Sequence, residues 1–274
     1  MSLVAAVSLG FSLLGASCWV GSSVAIFRLA RRRDENVKLP VIQGVIRRRL
    51  LINFRVEPAV MQRQLPDRFR PKRHRGSAVA GICLIRLEDI RPKHLPGFVG
   101  VSSENGAHRI AVEWEADGQL HEGVYIPRRD TSSRINQFAG GRLFPGEHHH
   151  SDFAVTDVGD RIDFSMRSPD GVSVEVRAHV ADALPSTSMF ASLAEASSFF
   201  EHGSIGYSAT RDKDRLDGIR LRTKTWKVTA LEVEHVSSSF FSDLEAFPEG
   251  SVAFDCGLLM RDIDHEWQTE PDLY

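Results

Sequence analysis

The strongest constraint in this chain is a two-residue rhythm of apolar and polar side chains. Val172, Val174, Val176, Ala178 and Val180 alternate with Ser173, Glu175, Arg177 and His179. Ile162, Phe164 and Met166 alternate with Arg161, Asp163 and Ser165. Ile110, Val112 and Trp114 keep the same spacing, as do Val252, Phe254, Cys256, Leu258 and Met260. Successive side chains of a strand point to opposite faces, so this pattern predicts strands with one apolar face. Asp117-Gly118, Asp170-Gly171 and Asp217-Gly218 lie between such runs and read as hairpin turns. Short connections of this kind make neighbouring strands antiparallel. Eight or more such strands in one domain tend to close on themselves, although alternation alone does not separate a barrel from a sandwich.

Helical signals are few. They predict short helices over 57–65, 130–139, 192–202 and 239–246. Glu57-Pro58 opens the first, with proline in the first turn. Asp130 is the expected N-cap of a helix over Thr131–Ala139, with Gly140-Gly141 as its stop, and Ser192 or Ser188 caps the third. The predicted class is mainly β, a β-rich α+β domain with a few peripheral helices.

Charge narrows the partners. Residues 1–75 hold 15 Lys and Arg against 4 Asp and Glu, leaving 19 against 32 in the rest. An acidic body argues against nucleic acid as a partner. Cys18, Cys83 and Cys256 are far apart and form no Cys-x-x-Cys pair, so neither a zinc knuckle nor a redox motif is indicated. Cys83 and Cys256 sit in apolar runs and read as small core residues. The absence of Gly-x-Ser-x-Gly, P-loop and Gly-x-Gly-x-x-Gly motifs weakens hydrolase, kinase and dinucleotide readings.

Leu3–Phe27 is a run of 25 residues without a charge, followed at once by Arg28, Arg31, Arg32 and Arg33. Its length suits a membrane span, and the basic flank places the body on the cytoplasmic side. The competing reading is a start site further downstream, which makes the protein simply cytoplasmic. The expected organisation is a membrane anchor with its basic flank over 1–33, a linker over 34–46, a globular domain over 47–267 and a tail over 268–274. Arg47–Arg49 add either adhesion to an anionic leaflet or a solvated strand end.

Chemistry-bearing groups crowd into residues 121–150. Gln119–Ile126 reads as a strand, and Glu122, Tyr125, Arg128, Arg129 and Asp130 fall on it or just after it. Arg128 and Arg129 are adjacent on a strand end and diverge, so at most one faces a cavity. Either can clamp a carboxylate or phosphate bidentately. Glu122 is a candidate acid–base group or the salt-bridge partner of an arginine. His148 and His150 share a face and offer two metal ligands, but a catalytic metal site needs a third. No metal and no cofactor is therefore assigned. Asp262, Asp264, His265 and Glu266 lack the spacing of a calcium loop and read as a solvated strand end.

The segment Glu122-Gly-Val-Tyr-Ile-Pro127-Arg128-Arg129 resembles the part of acetoacetate decarboxylase in which a glutamate, five residues before a proline, precedes two adjacent lysines. The wider chain, over about 45–267, resembles the YqjF-like branch of that superfamily. Leu51–Pro58, Ala80–Arg86, Gly140–Pro145 and Gly203–Tyr207 carry the likeness. The resemblance implies a single cone-shaped antiparallel β-barrel with helices outside, and a cavity that Tyr207 and Tyr125 can line. It does not carry the decarboxylase chemistry. Both lysine positions are arginine here, and a guanidinium stays protonated and forms no Schiff base. The expected function is binding of a small acidic or carbonyl-bearing ligand in the barrel, contacted by Arg128, Arg129, Tyr125, Tyr207 and Glu122. Two alternatives stand beside it. One is a lyase or hydrolase with Glu122 as acid–base group and Arg128 or Arg129 as anion clamp. The other is a membrane-associated scaffold without a cavity.

Overall fold

Leu50-Leu-Ile-Asn-Phe54 is buried along its whole length, which a strand achieves only when both of its faces are covered. That run lies in β1 (Ile42–Val56), and the fold follows from covering both of its sides. The protein is described from a computed structural model covering residues 40–139, 146–210 and 214–274. In chain order, β1 is followed by α1 (Pro58–Gln62), β2 (Arg70–Pro71), β3 (Arg73–His74), β4 (Ser77–Pro92), β5 (Val101–Ala116) and β6 (Gln119–Thr131). Next come α2 (Arg134–Ala139), β7 (His148–His150), β8 (Asp152–Val158), β9 (Arg161–Arg167) and β10 (Ser173–Ala181). The chain ends with α3 (Leu193–His202), β11 (Ile205–Ala209), β12 (Leu216–Thr223), β13 (Thr229–Ser238) and β14 (Val252–Leu273).

Seven strands form a closed ring in the order β1, β4, β5, β6, β11, β12, β14 and back to β1. This is the expected barrel. Its pairs are antiparallel except at one seam, where β6 and β11 run parallel, and β7 also joins β6 in parallel. Closure leaves the ring without edges. From β14 the sheet continues outward through β13, β10 and β9 to β8. This arm turns its apolar face back onto the outside of the ring. Ile162, Phe164 and Met166 of β9 and Val174 and Val176 of β10 pack in one core with Leu50, Ile52, Leu84 and Ile110 of the ring. Two of the alternating runs, in β9 and β10, lie in the arm and two, in β5 and β14, lie in the ring, whereas the doubly apolar runs of β1 and β4 belong to the ring. Inside the ring, Leu51, Val79, Ala111 and Leu258 meet Ala196 and Phe200 of α3. Ser192 caps α3, its hydroxyl accepting from the Glu195 N–H at 3.1 Å.

Several local expectations change. Asp217-Gly218 is not a hairpin but part of β12, where a Cβ on Gly218 would lie 2.6 Å from the Tyr207 ring. The glycine serves close packing there. By contrast, Asp117 and Gly118 both have positive φ and turn β5 into β6, and Asp170-Gly171 turns β9 into β10. The strand expected over Gln119–Ile126 runs on to Thr131, so Asp130 is a strand residue and not an N-cap. Ser133 fills that role, its hydroxyl accepting from the Asn136 N–H at 3.2 Å. Residues 239–246 form turns rather than a helix, and these drive Phe240, Phe241 and Phe247 together into the core. The domain unit begins at Leu39, β1 begins at Ile42, and β14 carries the expected tail through Leu273 as a ring strand. His265 is buried within β14 rather than solvated. Among the described residues no helix is long and apolar enough to cross a membrane. Leu3–Phe27, where the sequence places an anchor, lies outside them, as do Cys18 and Gly140–Pro145.

Candidate functional site

All seven ring strands contribute to one cavity of about 150 Å³ inside the ring. β1 supplies Arg49, β4 supplies Cys83 and Ile85, β5 supplies Arg109, and β6 supplies Val124 and Arg129. Gly206 of β11, Leu221 of β12 and Trp267 of β14 complete the circuit. Register explains the convergence. Arg129 lies opposite Ala107, Ala107 opposite Cys83, and Cys83 opposite Leu51, so these residues form one row around the inner wall. Arg109 and Arg49 fall in the rows on either side, opposite Gly81 and Ile85.

The three guanidiniums carry the electrostatics of the site. Arg109 is only 4% exposed, donates to Asn53 Oδ1 and lies over the Phe200 ring, 4.7 Å from its centroid. Its Nε has no hydrogen-bond partner among the described residues. Arg129 donates through Nε to Ser208 Oγ at 3.3 Å, and its buried Nη2 has no hydrogen-bond partner among the described residues. Arg49 donates through Nε to Cys83 Sγ at 3.1 Å, and its guanidinium sits 5.9 Å from the Trp226 ring centre. Among the described residues no carboxylate forms an ion pair with any of the three. Burial lowers Arg109 below its ordinary value and brings Arg129 down to about 10. Burial, with Arg129 beside it, also brings His148 of the cavity wall down to about 3, so it is neutral at pH 7. Buried charges normally come paired, because desolvation is costly. One buried cation, Arg109, and two half-buried ones, Arg129 and Arg49, with no carboxylate paired to them among the described residues make a cavity able to take an anion.

The residues expected at the site separate. Arg129 reaches the cavity. Arg128 points to the other side of the sheet, donating to Asp130 at 2.9 and 2.8 Å and to Asp170 at 2.7 and 3.0 Å. Its charge is already matched there, so the anion clamp is not an Arg128–Arg129 pair. Glu122 pairs with neither arginine. Its Oε2 lies 2.6 Å from Lys72 Nζ, and Lys72 sits against the Phe199 ring in a smaller space beyond Arg109. Tyr125 and Tyr207 are buried around Phe69 and do not line the cavity. The Tyr207 hydroxyl donates to the Pro271 carbonyl, and burial pushes it up to about 12. His148 and His150 gain no third ligand, since no group of three His, Cys, Asp or Glu gathers among the described residues. Arg109 escaped the sequence reading, and Arg49, expected at an anionic leaflet or a solvated strand end, lines the cavity instead. Their signal was a charged side chain inside a run apolar in both phases, where either face is interior.

Solved structures with the same architecture are acetoacetate decarboxylase-like. Acetoacetate decarboxylase from Legionella pneumophila matches at TM-score 0.57 and 10% identity over 87% of this chain and 90% of that one. The enduracididine biosynthesis enzyme MppR, complexed with pyruvate, matches at TM-score 0.55 and 10% identity over 88% and 92%. An acetoacetate decarboxylase-like enzyme from Sphingomonas wittichii RW1 matches at TM-score 0.55 and 12% identity over 86% and 93%. At such identities the likeness is one of fold. No curated protein matches the sequence significantly. The sequence family DUF2071, described as an uncharacterized conserved protein, matches residues 45–254. The chain therefore belongs to the DUF2071 family and has an acetoacetate decarboxylase-like fold.

Proposed function

We propose that the ring cavity binds a small carboxylic acid non-covalently, with Arg129, Arg109 and Arg49 as its anion site. One observation carries the reading: three arginines line one largely apolar cavity and none of them is ion-paired among the described residues, the one carboxylate residue of the lining, Asp130, being held by Arg128. A carboxylate accepts from two guanidinium N–H groups at once, and its charge offsets the desolvation of the guanidiniums. The MppR structure with pyruvate gives a fold neighbour holding a small oxo acid in the same architecture.

The reading is of a binder rather than a decarboxylase or an acid–base enzyme. No lysine lines the main cavity, and Glu122 is held by Lys72 beyond Arg109. Thermal unfolding in the presence of pyruvate and acetoacetate tests this, together with assay of the same acids for consumption. Stabilisation that grows with acid concentration, disappears in Arg129→Met and comes without turnover supports the reading. Consumption of the acid that is lost in Glu122→Gln replaces it with the enzyme reading.

We also propose that Leu3–Phe27 and the following arginines tether the domain to the cytoplasmic face of a membrane. Carbonate extraction of membranes tests it: retention in the pellet supports a tether, and full release contradicts it.

A further inference from the structure

The cavity has two chemically different ends, and we infer from them the class of acid it takes: a monocarboxylate with an apolar tail. The inference rests on the carboxylate reading above and adds the tail. Register orders the wall into rows. Arg109, Arg129 and Arg49 occupy three consecutive rows. Further along β1 and β4 the next inward pair is Ile46 opposite Leu87, followed by Ile90. From the other side of the ring, Leu221 lies opposite Trp267, and these side chains pack in one cluster with Ile46 and Leu87.

Beyond Arg49, whose guanidinium borders this end against Met260 and Trp226, the end holds no cation among the described lining residues, so a second carboxylate placed against Leu221 and Trp267 would lose its hydration without gaining a partner. A methylene chain gains instead, at about fourfold in affinity per buried CH₂. The volume of about 150 Å³ holds on the order of five to ten non-hydrogen atoms, judged from the space one water needs. That is the size of a carboxylate with a tail of a few carbons. An acid of two carbons would leave the apolar end empty, and a short dicarboxylate would use only the cationic end.

Isothermal titration of the full-length protein with butanoate, hexanoate, adipate, malonate, inorganic phosphate and hexanamide tests the inference. Hexanoate is expected to bind on the order of tenfold tighter than butanoate and tighter than adipate, malonate or phosphate. Leu221→Asn is expected to remove the advantage of hexanoate while leaving butanoate binding in place. If that variant does not fold, the panel on the unaltered protein decides alone. Equal binding of butanoate and hexanoate, or tightest binding of a dianion, overturns the tail and leaves the carboxylate reading standing. Hexanamide binding as tightly as hexanoate overturns the carboxylate reading itself, and no binding by any acid overturns both.

Discussion

Arg128 and Arg129 are neighbours in sequence and opposites in environment. The Arg128 guanidinium is held by Asp130 and Asp170. The Arg129 guanidinium reaches into the ring cavity, where among the described residues Ser208 alone accepts from it. Strand geometry sends consecutive side chains to opposite faces, and here it divides one matched charge from one unmatched charge.

That division predicts opposite mutant signatures. Arg128→Ala leaves the Asp130 carboxylate buried, with Ser151 as its remaining hydrogen-bond donor. Removing one partner of a buried pair costs about 3–5 kcal/mol at full burial, and the partial exposure of Arg128 brings the expectation to about 2–3 kcal/mol. Acid binding should stay within about threefold of the parent, since Arg128 does not face the cavity. Arg129→Met removes a desolvated cation, so unfolding stability should hold or rise while acid binding falls more than tenfold. Urea unfolding and titration calorimetry on the two variants check both halves.

Acid should destabilise the protein through its buried histidines. His108 is fully buried against Phe240 and Phe241, and burial brings it down to about 4. His265 falls to about 4 and His148 to about 3, again chiefly through burial. Each folded value lies below the unfolded value near 6.5. Between those values the unfolded chain binds protons that the folded chain refuses, so stability is full above about pH 6.5 and falls as pH drops towards 4. His108 alone accounts for roughly 3 kcal/mol over that window. Urea midpoints measured from pH 7 to pH 4 should fall steeply, and His108→Phe should flatten the slope by close to one proton.

Thiol chemistry should distinguish two buried cysteines. Cys83 lines the cavity, with Arg49 donating to its sulfur. Cys256 is sealed from solvent, accepts from Asn53 at 3.5 Å, and burial pushes its thiol up to about 12. Iodoacetate should therefore alkylate Cys83 faster than Cys256, and faster than neutral iodoacetamide does relative to free cysteine. Hexanoate in the cavity should slow the reaction at Cys83. Peptide mapping by mass spectrometry separates the sites, and preferential labelling of Cys256 would count against this cavity wall.

Glu122 and Lys72 give a further check. Their 2.6 Å contact satisfies each with the other beyond Arg109. Glu122→Gln should leave acid affinity within about twofold and lower stability by about 1 kcal/mol, as expected for a partly exposed pair. Treatment with pyruvate and borohydride should leave the intact mass unchanged. A reduced pyruvate adduct mapped to Lys72 would mean that an imine-forming amine is supplied from between β2 and β3.

The strands were legible where one face is wet. Ile162, Phe164 and Met166 alternate cleanly because the arm lies with one face on the ring and the other in solvent. The ring strands β1 and β4 carry apolar residues on both faces, so the sequence suggested a leaflet contact or a solvated strand end for Arg49 and left Arg109 unassigned, when both line the cavity. The barrel itself and the doubtful role of two adjacent cations came from the resemblance to acetoacetate decarboxylase. Ring closure pairs strands far apart in sequence, such as β1 with β14, and local patterns carry no trace of it. Gly218 misled for a related reason. A glycine demanded by the Tyr207 ring looks in sequence like a glycine demanded by a turn. Asp130 suited a helix cap by residue type, but its carboxylate is taken by Arg128 and Ser151.

The central claim is that the unpaired guanidiniums hold an acid. A crystal structure of the protein with hexanoate tests it most directly. The predicted result places the carboxylate oxygens within about 3 Å of guanidinium nitrogens of Arg129 and Arg109, with the tail against Leu87 and Trp267. Hexanoate bound outside the ring beside Arg128, or seated at Lys72 with the three guanidiniums left unpaired, would contradict it.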